Sequence, residues 1–156
     1  MSKSNIIIRT RYKHSLTASK HISKWVDYVS KKEKADAYSL GYVKTLMNRK
    51  RVIEELNSKN FMIRSSGERM ALNTPIQGTA ADILKKAMVE IYDEFNKRGL
   101  KSKMIIQVHD ELVFNVVNSE LDEVKDIVRN IMENTFKMLV PLKVDIEVGN
   151  NWYEAK

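Results

Sequence analysis

The chain has 156 residues, the length of one ordinary domain that can bury its own core. It contains no cysteine, which excludes disulfides, thiolate metal sites and cysteine nucleophiles, and no apolar run approaches the length of a membrane-spanning helix. The net charge of +7 is uneven: residues 1–60 carry 14 Lys/Arg against 5 Asp/Glu, whereas residues 61–156 carry 13 against 15. The basic first part indicates either a polyanionic partner or a solvated basic arm, and charge alone favours neither.

The first 40 residues are predicted to be a basic arm followed by a helix. Residues 1–16 show no pattern apart from "NIII", and we expect them to form a loose arm. Gly41 ends the helical pattern that follows; "YVKTL" is then typical of a short strand, "MNRKR" of a turn, and "VIEEL" of a strand or a turn. The helix is predicted over residues 17–38, where apolar residues recur at helical spacing: Ile22, Trp25, Val26 and Val29.

The strongest helical pattern runs over residues 66–97. Pro75 lies inside it and predicts a kink, because good helix formers precede it, and Gly99 is expected to end the helix. A second helix is predicted over "NSELDEVKDIVRNIMENTFKML", with Asn118 or Ser119 as its N-cap, and "PLKVDIEVG" alternates like a strand. The apolar face of the first helix comprises Ile76, Ala80, Ile83, Leu84, Ala87, Met88, Ile91 and Phe95.

Between these helices, "KMIIQV" and "LVFNVV" flank His109, Asp110 and Glu111 and predict a hairpin with the acids at its turn. The chain is therefore expected to be α+β, with an antiparallel sheet packed against two long helices. Carboxylates fixed at such a turn suit Mg²⁺, which prefers oxygen ligands, and phosphoryl chemistry often uses two such ions about 4 Å apart. The alternative is that the acids and the histidine are ordinary turn residues, and the cluster by itself favours that alternative.

Four segments carry a resemblance to a known family. In chain order they are "GYVKTL", "LNSKNFMIRSSGERMALNTPIQGTAADI", "MIIQVHDELVF" and "VPLKVDIEVGNNWYEAK". Together, from about Gly41 to Lys156, they resemble the C-terminal palm of the family A DNA polymerases, the bacterial DNA polymerase I group. The resemblance divides the chain into a basic N-terminal arm and helix, residues 1–40, and a palm-like domain, residues 41–156.

The resemblance implies roles for individual residues. Asp110 corresponds to a catalytic aspartate that binds metal ions, Glu111 to its neighbour, which supports the metal site less directly, and His109 to a residue that contacts the primer's terminal nucleotide from the minor groove. Asn, Gln and His side chains can donate hydrogen bonds to the acceptors that every base pair shows in that groove. The resemblance also implies that three helix residues spaced four apart contact the template or primer: Arg69, Asn73 and Gln77. Gln107, in a strand, is a weaker candidate for such a contact. For Asn73 and Gln77 the alternative is a helix cap and a solvated polar residue.

Two parts of the family pattern do not occur in this sequence. One is the strand with a second aspartate, in a motif like Asp-Tyr-Ser-Gln-Ile-Glu, and the other is the fingers helix with its Arg, Lys, Tyr pattern. "NRKR" also replaces a Gly-Arg-Arg turn that is common in the family. A single carboxylate pair cannot hold two Mg²⁺ ions and a nucleotide triphosphate tightly, because balancing charge and ligands are missing.

We therefore expect a fragment or subunit of a DNA-directed DNA polymerase that is inactive as an isolated chain and binds Mg²⁺ weakly or not at all. Its expected partner is primer–template DNA. The alternatives are a non-catalytic duplex-DNA-binding module and a folded polymerase remnant.

The absence of the second-aspartate strand predicts an exposed apolar sheet edge. We expect the chain to cover this edge by dimerising, by folding its own N-terminal arm over it, or by binding a second polypeptide that supplies the missing palm strand and fingers. The first 26 residues contain no acid, a composition that is also found in organellar transit peptides. They contain no apolar core of the kind that a secretory signal peptide has. We expect a cytoplasmic, nucleoid-associated protein.

Overall fold

The computed structural model describes residues 5–12, 31–138 and 141–155. The chain divides into two compact units: the sheet unit, Met1–His14 with Ile83–Lys156, and the helical unit, Ser15–Asp82. The predicted division between residues 1–40 and 41–156 rests on resemblance rather than on packing, and it stays a prediction. In chain order the helices and strands are β1 (Asn5–Tyr12), α1 (31–40), β2 (Tyr42–Lys44), β3 (Lys50–Val52), α2 (Phe61–Asn73), α3 (Thr79–Arg98), β4 (Lys103–Val108), β5 (Glu111–Val117), α4 (Leu121–Asn134) and β6 (Val144–Gly149).

The sheet unit is built on a four-stranded antiparallel sheet in the order β4-β5-β1-β6. Helices α3 and α4 supply apolar side chains to one continuous core with this sheet, which confirms the predicted α+β architecture. In that core the Phe95 and Phe114 rings lie 5.9 Å apart between centroids. The core residues are Ile8, Leu84, Ala87, Ile91, Phe95, Leu112, Phe114, Val116, Val124, Ile127, Val128, Met132 and Val144.

The prediction of a loose arm over residues 1–16 is wrong for residues 5–12, which form β1. This strand lies between β5 and β6, pairs with Glu111–Val117 along its length, and buries Ile8 and Thr10 completely. A strand inside a sheet satisfies its backbone donors and acceptors on both sides. Three ways of covering an exposed sheet edge were predicted. The structure shows the second, because the chain's own N-terminal segment pairs with β5 beside the hairpin.

The helical unit has a small core of its own. The β2–β3 hairpin and a 3₁₀ turn (Glu54–Asn57) precede α2, and Asn60 caps that helix by accepting a hydrogen bond from the Met62 amide at 2.9 Å. Pro75 lies in a π-helical turn, Thr74–Gly78, between α2 and α3. A π turn widens the backbone ring, which accommodates a residue that cannot donate a hydrogen bond. The buried core residues of this unit are Ala37, Val43, Ile53, Leu56 and Ala71.

Several predicted boundaries shift. The first long helix begins at Phe61 rather than near residue 66, and α4 begins after a 3₁₀ turn, with Glu120 rather than Asn118 or Ser119 at the cap position. Of the helix predicted over residues 17–38, residues 31–38 are helical and the remainder lies outside the described residues. No helix among the described residues is both long and apolar enough to cross a membrane.

Candidate active site

The β4–β5 hairpin places Asp110 in a tight turn and Glu111 at the first position of β5. Val108 pairs with Glu111, so the loop consists of His109 and Asp110 alone. His109 has φ of 53°, a left-handed conformation that a non-glycine residue rarely adopts. A positive φ at the first loop residue only is the φ pattern of a type II′ turn, whose twist matches the flanking strands. Such local strain often accompanies functional sites.

Gln107 supports this turn from within β4. Its side-chain amide donates a hydrogen bond to the backbone carbonyl of His109 at 2.7 Å. Because Gln107 pairs with Leu112, which is part of the core, both point to the helix-covered face of the sheet, and Glu111 points to the opposite face. The structure thus brings Gln107 and His109 together but separates Gln107 from Glu111.

Glu111 is held by two arginines from β1. Its carboxylate accepts hydrogen bonds from Arg9 Nε at 2.8 Å and Arg9 Nη2 at 2.6 Å, a two-pronged pair, and Arg11 Nη1 lies 3.7 Å away. The Glu111 side chain is only 12% exposed. The hydrogen bond to Glu111 raises the pKa of the Arg9 guanidinium above its ordinary value, against a smaller effect of burial.

The C-terminal segment closes over the same face of the sheet. Arg9 Nη1 donates to the Ala155 carbonyl at 3.3 Å, and Ala155 is completely buried. Gly149 permits this approach, because a Cβ there would lie 2.6 Å from the Ala155 nitrogen. Strand β1, the hairpin and the C-terminal segment therefore meet at one guanidinium.

The other predicted contact residues belong to the helical unit. Arg69 and Asn73 lie on α2 and Gln77 in the π-helical turn, and all three are exposed. The turn is tied to the β2–β3 hairpin by Thr79, whose hydroxyl accepts a hydrogen bond from the Leu46 amide at 3.0 Å and donates to the Pro75 carbonyl. A π turn often marks a functional position in a helix.

Sequence reasoning missed Arg9 and Arg11. The sequence contains a signal for this strand, because residues 6–12 alternate between the two faces of the sheet. The even-numbered residues face the core (Ile6, Ile8, Thr10 and Tyr12), and the odd-numbered residues face outward (Ile7, Arg9 and Arg11). The basic character of the segment concealed this period of two. Arg9 and Glu111 are 102 positions apart, so no local pattern could pair them.

Comparison with solved structures indicates the class of protein to which this fold belongs. The chain is similar to a structure of the POL domain of Pol1 from M. smegmatis in complex with DNA primer–template and dNTP. The TM-score is 0.79 at 41% sequence identity, and the match covers 83% of this chain and 23% of that one. The antiparallel sheet with its acid-bearing hairpin is thus part of a polymerase domain.

The family model described as DNA polymerase family A matches residues 9–154. The chain belongs to DNA polymerase family A. It is 49% identical to DNA polymerase I of Bacillus subtilis (strain 168) and 47% identical to DNA polymerase I of Lactococcus lactis subsp. lactis (strain IL1403), in each case over 121 residues. Those matches cover 78% of this chain and 14% of each relative, so the chain corresponds to about a seventh of their length. The resemblance found in the sequence is confirmed as a partial family A polymerase domain.

Proposed function

We propose that this chain is a fragment or subunit of a DNA-directed DNA polymerase that holds primer–template DNA and does not copy it alone. The observation that carries the proposal is the two-residue turn of His109 and Asp110, set in an antiparallel sheet of a chain that matches family A over residues 9–154. The cytoplasmic, nucleoid-associated location stays a prediction.

Within this proposal, Asp110 and Glu111 are the catalytic-type acids of the hairpin, and His109 approaches the primer terminus. Its left-handed backbone at the tip of the turn supports a fixed direction for that side chain. Gln107 supports the turn through the His109 carbonyl, which favours a positioning role over direct contact with DNA.

The helical unit would supply the grip on the duplex. Arg69, Asn73 and Gln77 are all exposed, and their chemistry suits a phosphate and minor-groove acceptors without sequence preference. The net charge of +9 in residues 1–60, from 14 Lys/Arg and 5 Asp/Glu, supports a polyanionic partner as well.

Strand pairing limits how a partner could complete the active site. Strand β5 pairs with β4 on one side and β1 on the other, so a second polypeptide cannot add a strand carrying the missing aspartate beside β5 unless β1 is displaced. In the described sheet, β4 and β6 are the outer strands. We therefore favour a second, different polypeptide that contributes fingers-type residues without joining the sheet at β5.

Binding is tested by fluorescence anisotropy of a labelled primer–template duplex. Affinity should fall steeply as salt rises, because Lys and Arg contacts release counterions, and Arg69→Ala should weaken binding by roughly tenfold, the effect of losing a charge-assisted contact. The matched control is Arg64→Ala, on the same helix but rotated by about 140°. Equal affinities for the wild type and Arg69→Ala, or no binding at low salt, would contradict the proposed interface.

A second candidate function is a duplex-DNA-binding module without any catalytic partner. The Arg9–Glu111 pair favours it, because one acid of the hairpin is held in a structural contact. The two candidates differ when chains bearing the second-aspartate and fingers motifs are added. Restored synthesis would support the subunit, and DNA binding with no restored synthesis would support the module.

A further inference from the structure

Glu111 already has a cation on each carboxylate oxygen. Arg9 Nε contacts Oε2 at 2.8 Å and Arg9 Nη2 contacts Oε1 at 2.6 Å, while Arg11 Nη1 approaches Oε1 at 3.7 Å. A planar guanidinium matches a carboxylate in this two-pronged geometry better than any other side chain. With Glu111 only 12% exposed, little water competes for these contacts.

Arg9 is itself fixed in place. Its backbone lies in the middle of a strand paired on both sides, opposite Val113 in β5 and Glu147 in β6, and its third nitrogen donates to the Ala155 carbonyl. A side chain held at both ends loses little additional freedom when it contacts Glu111. This contact is therefore built into the sheet and does not depend on a bound ligand.

The residues present do not fit the Mg²⁺ ions that family A DNA polymerases generally use. Among the described residues, no three or more His, Cys, Asp or Glu side chains come together as a group that could hold a metal ion. Mg²⁺ binds oxygen at about 2.1 Å, so an ion on either Glu111 oxygen would lie beside a fixed guanidinium. The repulsion between two such cations is strong in a partly buried site.

We propose that the Arg9 guanidinium is the resident cation of this acid site, and that it excludes divalent metal ions from Glu111. The proposal deepens the proposed function and rests on the assignment of the hairpin as the polymerase-type acid site. It gives the proposed inactivity of the isolated chain a cause within the chain. Even with a complete set of partner residues, Glu111 would have to release Arg9 before it could support a metal ion.

The test is a Mn²⁺ titration of the full chain without DNA, followed by the loss of the electron paramagnetic resonance signal of free Mn²⁺. The wild type and Glu111→Gln should bind Mn²⁺ equally weakly. Arg9→Gln combined with Arg11→Gln should bind it at least about tenfold more tightly, because a nearby positive charge is removed, and adding Glu111→Gln should abolish the gain.

The matched control is Arg98→Gln, which removes an arginine of the same unit that bridges Glu94 and Glu123; it should show no such gain. Tighter binding by the wild type than by Glu111→Gln would overturn the proposal, and that comparison remains valid if the double variant fails to fold. A folded double variant without gain, or an equal gain in Arg98→Gln, would also overturn it. Because no DNA is present, these outcomes are independent of whether the chain binds primer–template.

Discussion

Replacing Ile8 by Ala tests whether β1 is a structural strand of the sheet unit. Ile8 is 0% exposed and packs in the main core. The substitution removes three carbons, about 2.4 kcal/mol at roughly 0.8 kcal/mol for each buried CH₂, and a residual cavity adds to this. We therefore expect a loss of about 3 kcal/mol, within the usual range for such changes. Ile7→Ala, on the opposite face and only partly buried, should cost about 1 kcal/mol.

The assay is urea unfolding followed by far-ultraviolet circular dichroism. For a slope of about 2 kcal/mol/M, the midpoint of Ile8→Ala should fall by about 1.5 M and that of Ile7→Ala by about 0.5 M. Equal, small shifts for the two variants would refute the reasoning, because a loose arm would not distinguish its two faces. A clearly larger loss of stability with Ile8→Ala than with Ile7→Ala would support β1 as a strand of the fold.

Three further outcomes follow from local contacts. Gly149→Val should push the C-terminal segment off the sheet and speed hydrogen exchange at the Ala155 amide, because a Cβ at 149 would lie 2.6 Å from that nitrogen. Hydrogen bonds from Ser102 lower the pKa of Glu120. The stability that Glu120 contributes to the fold is therefore present above the unfolded pKa of about 4.3 and is lost as pH falls through the lower folded pKa. In thermal melts at neutral and acid pH, the stability of Glu120→Gln should fall less on acidification than that of the wild type. Asn60→Ala removes the α2 cap and should cost about 1 kcal/mol in thermal unfolding, whereas Asn60→Asp should cost little.

Elements defined by local periodicity could be predicted from the sequence. The β4–β5 hairpin, α4 and β6 each show one clear period bounded by turn or capping residues, and the structure has all three. The π-helical turn at Pro75 could not be predicted in the same way. Proline predicts an interruption, but its form depends on contacts with the β2–β3 hairpin such as the one between Leu46 and Thr79.

The acid site shows the limit of sequence reasoning most clearly. The motif around Asp110 and Glu111 identified the family and the turn, yet it held no information about the cation beside Glu111. That cation is the Arg9 guanidinium. Arg9 lies in residues 1–16, the basic segment that was predicted from the sequence to be a loose arm. Long-range strand pairing decides which side chains share a sheet face, and a pattern within one segment cannot supply it.

Primer extension by the purified chain tests the central claim most directly. An end-labelled primer on a longer template is incubated with the chain, all four deoxynucleotides, and Mg²⁺ or Mn²⁺, alongside the Asp110→Asn variant. We expect the duplex to be bound and the primer not to be lengthened by either protein. Template-directed extension by the wild type that is lost in Asp110→Asn would contradict this expectation.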